Sequence, residues 1–222
     1  MSVILFGFEP FGEFRENPSQ KAVSMLDGER IGGMKAEAVI LRVDYPSAER
    51  TIMRVFDARR PLIAVGTGLA AGRNRVSVEK VAINFMSYPG MAPESASGLR
   101  KVIDPAGPDG IFPAVDVERM ADFLNGRGIP SAVSLSAGSY LCNFAMYLIM
   151  RECRNRGIKG CFLHLPCDQD MALKGEYSKY PYMSLEVMTD AIRGAVEFCA
   201  GELRGPHLHG AAEKVSGDKS TS

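Results

Sequence analysis

The distribution of apolar residues constrains this chain more than any other feature. Short apolar runs alternate with segments of helical spacing along most of its length. The runs cover residues 3–6, 36–43, 62–65, 76–85, 132–135 and 161–165. Most have the length of a buried strand and hold branched aliphatic side chains that suit a pleated sheet. Between the first two, Asn17-Pro18-Ser19 supplies a cap and a first-turn proline for a helix. Helical stretches follow at 46–57, 115–125 and 140–154, the last closed by Gly157. After Ser184, the residues Leu185, Met188, Ile192, Val196, Cys199 and Leu203 recur at three- and four-residue spacing and form one apolar face. Strands alternating with helices predict an α/β sandwich on a largely parallel sheet.

The 222 residues suit one domain, and the alternating pattern fills residues 1–204. Residues 205–222 are small and polar and read as a disordered tail, which holds His207 and His209. Residues 84–113, rich in Gly, Pro and Ser, predict a hairpin or a long loop. The 26 basic and 26 acidic residues cancel, which argues against nucleic acid or an anionic membrane as partner. No apolar run nears the roughly 18–20 residues of a membrane span, and MSVILFGFEPFG has neither a basic leader nor a cleavage site. The cysteines, Cys142, Cys153, Cys161, Cys167 and Cys199, are odd in number and contain no C-x-x-C. They make a poor disulfide framework and a poor metal site, so a reducing cytoplasm and no metal are expected.

Three residues can carry chemistry. Cys142 lies in SLSAGSYLCNFAMYLIM, where a strand ends and a helix begins with Ser139 as its expected cap. A first-turn position there offers unpaired N–H groups and a positive dipole end, which favour a thiolate and can hold an oxyanion. The plain alternative is a small buried hydrophobe. His164, in KGCFLHLPCDQ, ends a strand that Pro166 stops, at the edge where open α/β sheets place their sites. It too has an alternative, as a hydrogen-bonded core histidine. Glu79, in VSVEKVAINF, shares strand parity with Val81, Ile83 and Phe85, so it is either a carboxylate with a partner or a solvated strand start. Together the three match a nucleophile, a base and an orienting acid. The run Gly66-Thr67-Gly68-Leu69-Ala70-Ala71-Gly72 is one residue too long for a dinucleotide loop, and no helical pattern follows it. It reads as a loop packed near the site.

Four separated segments resemble the pyroglutamyl peptidase I (pyrrolidone-carboxylate peptidase) family. GFEPFGEFRENPS is similar to its N-terminal signature and GTGLAAGRNRVSVEKVAIN to its Gly-rich loop and glutamate strand. SLSAGSYLCN and GCFLHLP are similar to the segments around its cysteine and histidine, in the same order and spacing from about Val3 to Leu203. The resemblance implies a three-layer α/β/α sandwich around a largely parallel mixed sheet. It also implies a cytoplasmic homotetramer without cofactor that acts on N-terminally pyroglutamylated peptides. By position it makes Cys142 the nucleophile, His164 the general base and acid, and Glu79 the residue that orients the imidazole. Phe8 and Phe11 become walls for the flat, uncharged lactam, and Asn17, Leu69, Tyr140 and Leu141 complete the substrate-binding set. Phe14, outside the matching motif, reads as a plug at the sheet edge.

The chain also departs from that pattern. Leu69 stands where a glutamine is usual, Tyr140 where a phenylalanine is, and Lys80 follows the glutamate in place of arginine. FMSYPGM replaces a run that contributes an arginine near the substrate. A related amidase for another cyclic or N-blocked amide is therefore a second reading, and a silent binding protein of the same fold a third. Either Lys80 or Arg73 is available to replace the missing arginine.

Overall fold

The computed structural model describes residues 1–12, 14–87, 101–174 and 177–204. Its strands are β1 (Ser2–Phe8), β2 (Arg30–Ile31), β3 (Met34–Leu41), β4 (Ile63–Leu69), β5 (Val76–Glu79), β6 (Ala82–Ile83), β7 (Gly110–Ile111), β8 (Ser131–Ser134) and β9 (Lys159–Leu165). Its helices are α1 (Pro18–Met25), α2 (Tyr45–Arg59), α3 (Val117–Asn125), α4 (Leu141–Arg156), α5 (Gln169–Leu173) and α6 (Leu185–Leu203).

Strand β1 shows why the sheet needs cover on both faces. Val3 and Leu5 enter one apolar cluster, while Ile4, Phe6 and Phe8 enter the other. A strand buried on both sides reads as a continuous apolar run, as residues 3–6 do. Helices α1, α3 and α6 cover the first face, and α2 and α4 the second. The result is the three-layer sandwich expected.

Seven strands stand in the order β2-β3-β1-β4-β9-β5-β8. Strands β3, β1, β4 and β9 run parallel; β5 and β8 are parallel to each other and antiparallel to β9. The sheet is therefore mixed, with β9 at the seam where direction reverses.

Three details differ from the sequence reading. The run 76–85 is not one strand: β5 stays in the main sheet, while β6 leaves it to pair with β7. Asn143 of α4 draws β6 away, accepting from Ile83 N at 2.9 Å and donating to Ile83 O at 2.9 Å. Residues 66–69 are strand, not loop, because β4 continues to Leu69 alongside β9. Leu203, placed on the apolar face of α6, is 40% exposed, although Met188, Ile192, Val196 and Cys199 are fully buried. The β6–β7 ladder gives part of 84–113 hairpin pairing; its residues 88–100, and the tail 205–222, lie outside the described residues.

Candidate active site

Topology brings the three candidates together. His164 sits near the end of β9, flanked in register by Gly68 of β4 and Ser77 of β5. Glu79 lies two residues further along β5, fully buried, with its Oε1 2.7 Å from His164 Nδ1. It is no neighbour of a core face: Ile83 and Phe85, which shared its parity, are 39% and 44% exposed after the chain turns into β6. The imidazole is Glu79's partner.

Cys142 occupies the first turn of α4 and is half-buried. The helix is capped by Tyr140 and not by Ser139, and no side chain bonds its first N–H groups. Ser139 is turned elsewhere, with its Oγ 2.8 Å from Ser87 Oγ and its carbonyl accepting from Ser87 N at 2.7 Å. The first-turn N–H groups thus lack a side-chain cap and can receive an oxyanion. Cys142 Sγ lies on the same side of β4 as the His164 ring. Both crowd Gly68, where an added Cβ would lie 2.8 Å from Sγ and 3.4 Å from His164 Nε2.

Burial on its own would lower the affinity of His164 for its proton. The Cys142 sulfur beside it and the Glu79 carboxylate prevail and raise its pKa to about 9. Burial pushes Glu79 up, but the hydrogen bond and charge of His164, with smaller help from Ser134 and Arg73, hold it below the usual carboxylate value. The help from Ser134 is through proximity. Its hydroxyl points to Ser136 O at 3.3 Å, and Glu79 Oε2 has no hydrogen-bond partner among the described residues.

These shifts predict how stability depends on pH. His164 binds its proton more tightly folded than unfolded, so its contribution is complete below pH 6.5 and is lost as pH rises toward 9. Glu79 works in the opposite sense, contributing above pH 4.5 and less as pH falls below it. Melting temperature should therefore be highest between pH 4.5 and 6.5 and decline on both sides. The alkaline decline should shrink in Cys142→Ser, which removes the charge that most raises His164. Calorimetry across pH 4–9.5 reads both arms, and a flat profile from 6.5 to 9 would refute the assignment.

Beside Cys142 opens a small cavity lined by Phe8, Phe11, Asn17, Val43, Leu69, Tyr140, Leu141 and Cys142. Every residue proposed from the sequence for substrate contact is there. Val43 was missed, although it ended the apolar run 36–43. Asn17 is also a structural residue. Its Oδ1 accepts from Ser19 N at 3.0 Å and Ser19 Oγ at 2.8 Å, and its Nδ2 donates to Glu9 O at 3.1 Å, which leaves one amide N–H.

Phe14 stays out of the cavity, packed edge-on or tilted against Phe11, Tyr177 and Tyr180 with ring centroids 5.2–6.3 Å apart. Below that aromatic cluster Glu16 pairs with Lys21 and Lys174, and Lys21 also reaches Asp168 at 2.8 Å. Among the described residues, the one group of acids close enough to hold a metal, Glu16, Asp168 and Asp170, thus already holds lysine ammonium groups. Lys80 is committed to Glu118 at 2.7 Å, so of the two cations considered for the site only Arg73 faces it.

A mixed, helix-covered sheet with a cysteine at a helix start and a histidine–carboxylate pair at the adjacent strand ends defines a cysteine peptidase of the α/β type. Residues 1–202 match the pyroglutamyl peptidase family, and the chain belongs to it. It is 43% identical over 199 residues to pyrrolidone-carboxylate peptidase 1 of Saccharolobus solfataricus, covering 89% of this chain and 93% of that protein. Pyrrolidone-carboxylate peptidase of Pyrococcus furiosus is 31% identical over 207 residues, or 91% of this chain and 100% of that one. Among solved structures, a variant of the Pyrococcus furiosus pyrrolidone carboxyl peptidase superposes with a TM-score of 0.83 at 30% identity, covering 91% of this chain and all of that one. Pyroglutamyl peptidase I of Bacillus amyloliquefaciens gives 0.80 at 29% identity, covering 90% and 97%.

Proposed function

We propose that this chain is a cysteine omega-peptidase that removes N-terminal pyroglutamate from peptides. The observation that carries the reading is the opening of Cys142, beside the His164–Glu79 pair, into a small cavity walled by Phe8, Phe11 and Leu69. Pyroglutamate is a flat lactam without a charged amine. Aromatic and aliphatic walls hold it by shape, and the free N–H of Asn17 is placed to meet a ring carbonyl.

In the reaction, Cys142 Sγ attacks the pyroglutamyl carbonyl carbon as a thiolate, with the proton on His164. The first-turn N–H groups of α4 receive the developing oxyanion. As the C–N bond breaks, His164 gives its proton to the departing amine and leaves a Cys142 thioester. Water then attacks the thioester, delivering its proton to His164, and the sulfur departs as thiolate. Glu79 holds the imidazole through Nδ1, so that Nε2 faces the sulfur. The same reading carries a homotetramer in a cytoplasmic setting. No helix among the described residues is long and apolar enough to cross a membrane.

The test is amine release from pyroglutamyl-7-amido-4-methylcoumarin, with prolyl and glutamyl amides as controls. Release from the pyroglutamyl amide alone is expected. A silent enzyme, or one that prefers a control, would overturn the substrate. Phe11→Ala should raise KM about tenfold with kcat within about threefold, since the wall acts on ground state and transition state alike. Phe8 is different, because at 3% exposure it is core as well as wall. Phe8→Ala should cost about 3 kcal/mol of stability besides its effect on KM.

A further inference from the structure

Arg73 lies in the turn after β4, outside the cavity lining, yet its guanidinium joins two halves of the site. Nη1 donates to Glu79 Oε1 at 2.6 Å and Nη2 to Ser136 O at 3.0 Å. Glu79 Oε1 is the same oxygen that faces His164 Nδ1 at 2.7 Å, while Oε2 is buried and has no hydrogen-bond partner among the described residues. A buried carboxylate with one oxygen doubly engaged and the other bare is held by its partners and not by symmetry, so its orientation depends on both of them. Ser136 belongs to the stretch between β8 and α4 that delivers Cys142 to the site. The planar fork of arginine spans both acceptors at once, which a lysine ammonium does not. Among the described residues, the charged or titratable groups on the Glu79–His164 pair are Cys142 from α4 and Arg73 from this turn.

We propose that Arg73 is a positioning residue for catalysis: it fixes Glu79 Oε1 on His164 and, through Ser136, holds the approach to the helix that carries Cys142. The inference rests on Cys142, His164 and Glu79 being the reacting groups. It does not depend on which amide they cleave.

Two readouts test it: turnover of the pyroglutamyl amide, and alkylation of Cys142 by iodoacetamide, which needs no substrate. Arg73→Ala should lower kcat about 30-fold with KM within about threefold, and should slow alkylation of Cys142 in parallel. Arg73→Lys, which restores one contact to Oε1, should recover to within about fivefold of the parent. Because the Arg73 side chain is 31% exposed, millimolar guanidinium should re-enter the Ala variant and restore about tenfold, with no effect on the parent. If the parent fails on the pyroglutamyl amide while alkylation still tracks Arg73, the positioning role stands and the substrate is wrong. Unchanged kcat and alkylation in Arg73→Ala would overturn the proposal. So would a loss that follows melting temperature and is recovered neither by lysine nor by guanidinium. If Arg73→Ala does not fold, Arg73→Gln and Arg73→Lys carry the same comparison.

Discussion

Cys142→Ser is expected to lower turnover by at least about 10⁴-fold while leaving the melting temperature at pH 9, where the His164 contribution is already lost, within about two degrees of the parent. The change is nearly isosteric and the site is half-buried, so packing alters little. The chemistry alters much more. The His164–Glu79 pair sits beside the Cys142 sulfur, and a hydroxyl is far too weak an acid to replace a thiol as the attacking group. Iodoacetamide gives the matching observation without substrate. In the parent, Cys142 should be labelled well before the other cysteines, all of which are buried. Burial also pushes the Cys153 thiol upward and the Cys167 thiol up to about 11, which suppresses their thiolates. Labelling should slow as pH falls, because the thiolate and not the thiol attacks. A serine variant as active as the parent, or labelling that begins elsewhere, would remove Cys142 from the mechanism.

The fold was legible in the sequence wherever burial was two-sided. Residues 3–6 and 161–165 became β1 and β9 because strands between helix layers are apolar on both faces. The cap of α1 was legible for a local reason, since Asn17 accepts from Ser19 N as its position before proline suggested, whereas α4 is capped by Tyr140 and not by the expected Ser139. The ends of elements were less so, since tertiary partners set them. Asn143 split the run 76–85, and nothing near residue 81 announces a side chain 60 residues away in sequence. Strand β2, strand β7 and helix α5 were too short to show a period.

At the site, each candidate was ambiguous alone because its partner is distant in the chain. Glu79 and His164 are separated by 85 residues and meet only because β5 lies beside β9. The same holds for Arg73. The sequence left it level with Lys80 as a free cation, and the ion pair of Lys80 with Glu118 separates the two. Conversely, the family resemblance supplied the cavity residues almost completely, because they lie in the segments that carry it, the loop 7–19, the Gly-rich run and the start of α4.

The Gly-rich run 66–72 is the instructive miss, and it leads to the second large effect. Glycines in sequence signal turns, but a strand also needs glycine where another group must approach its backbone. Gly66 makes room for Phe162, whose ring would lie 2.4 Å from an added Cβ. Gly68 makes room for the reacting groups. A methyl there would stand 2.8 Å from Cys142 Sγ and 3.3 Å from His164 Cδ2, closer than real side chains tolerate, so sulfur or ring must shift. Gly68→Ala should therefore lower kcat about 10³-fold, since a displacement of about 1 Å at a reacting atom removes much of the benefit of alignment. The stability cost should be small by comparison, because Cys142 is half-buried and borders the open cavity. Circular dichroism and melting should thus resemble the parent, while both turnover and Cys142 alkylation collapse. If Gly68→Ala keeps more than about a tenth of parental kcat, the sulfur does not react from the position it holds against β4, and the alignment of Cys142 with His164 must be reached by a rearrangement of α4 instead.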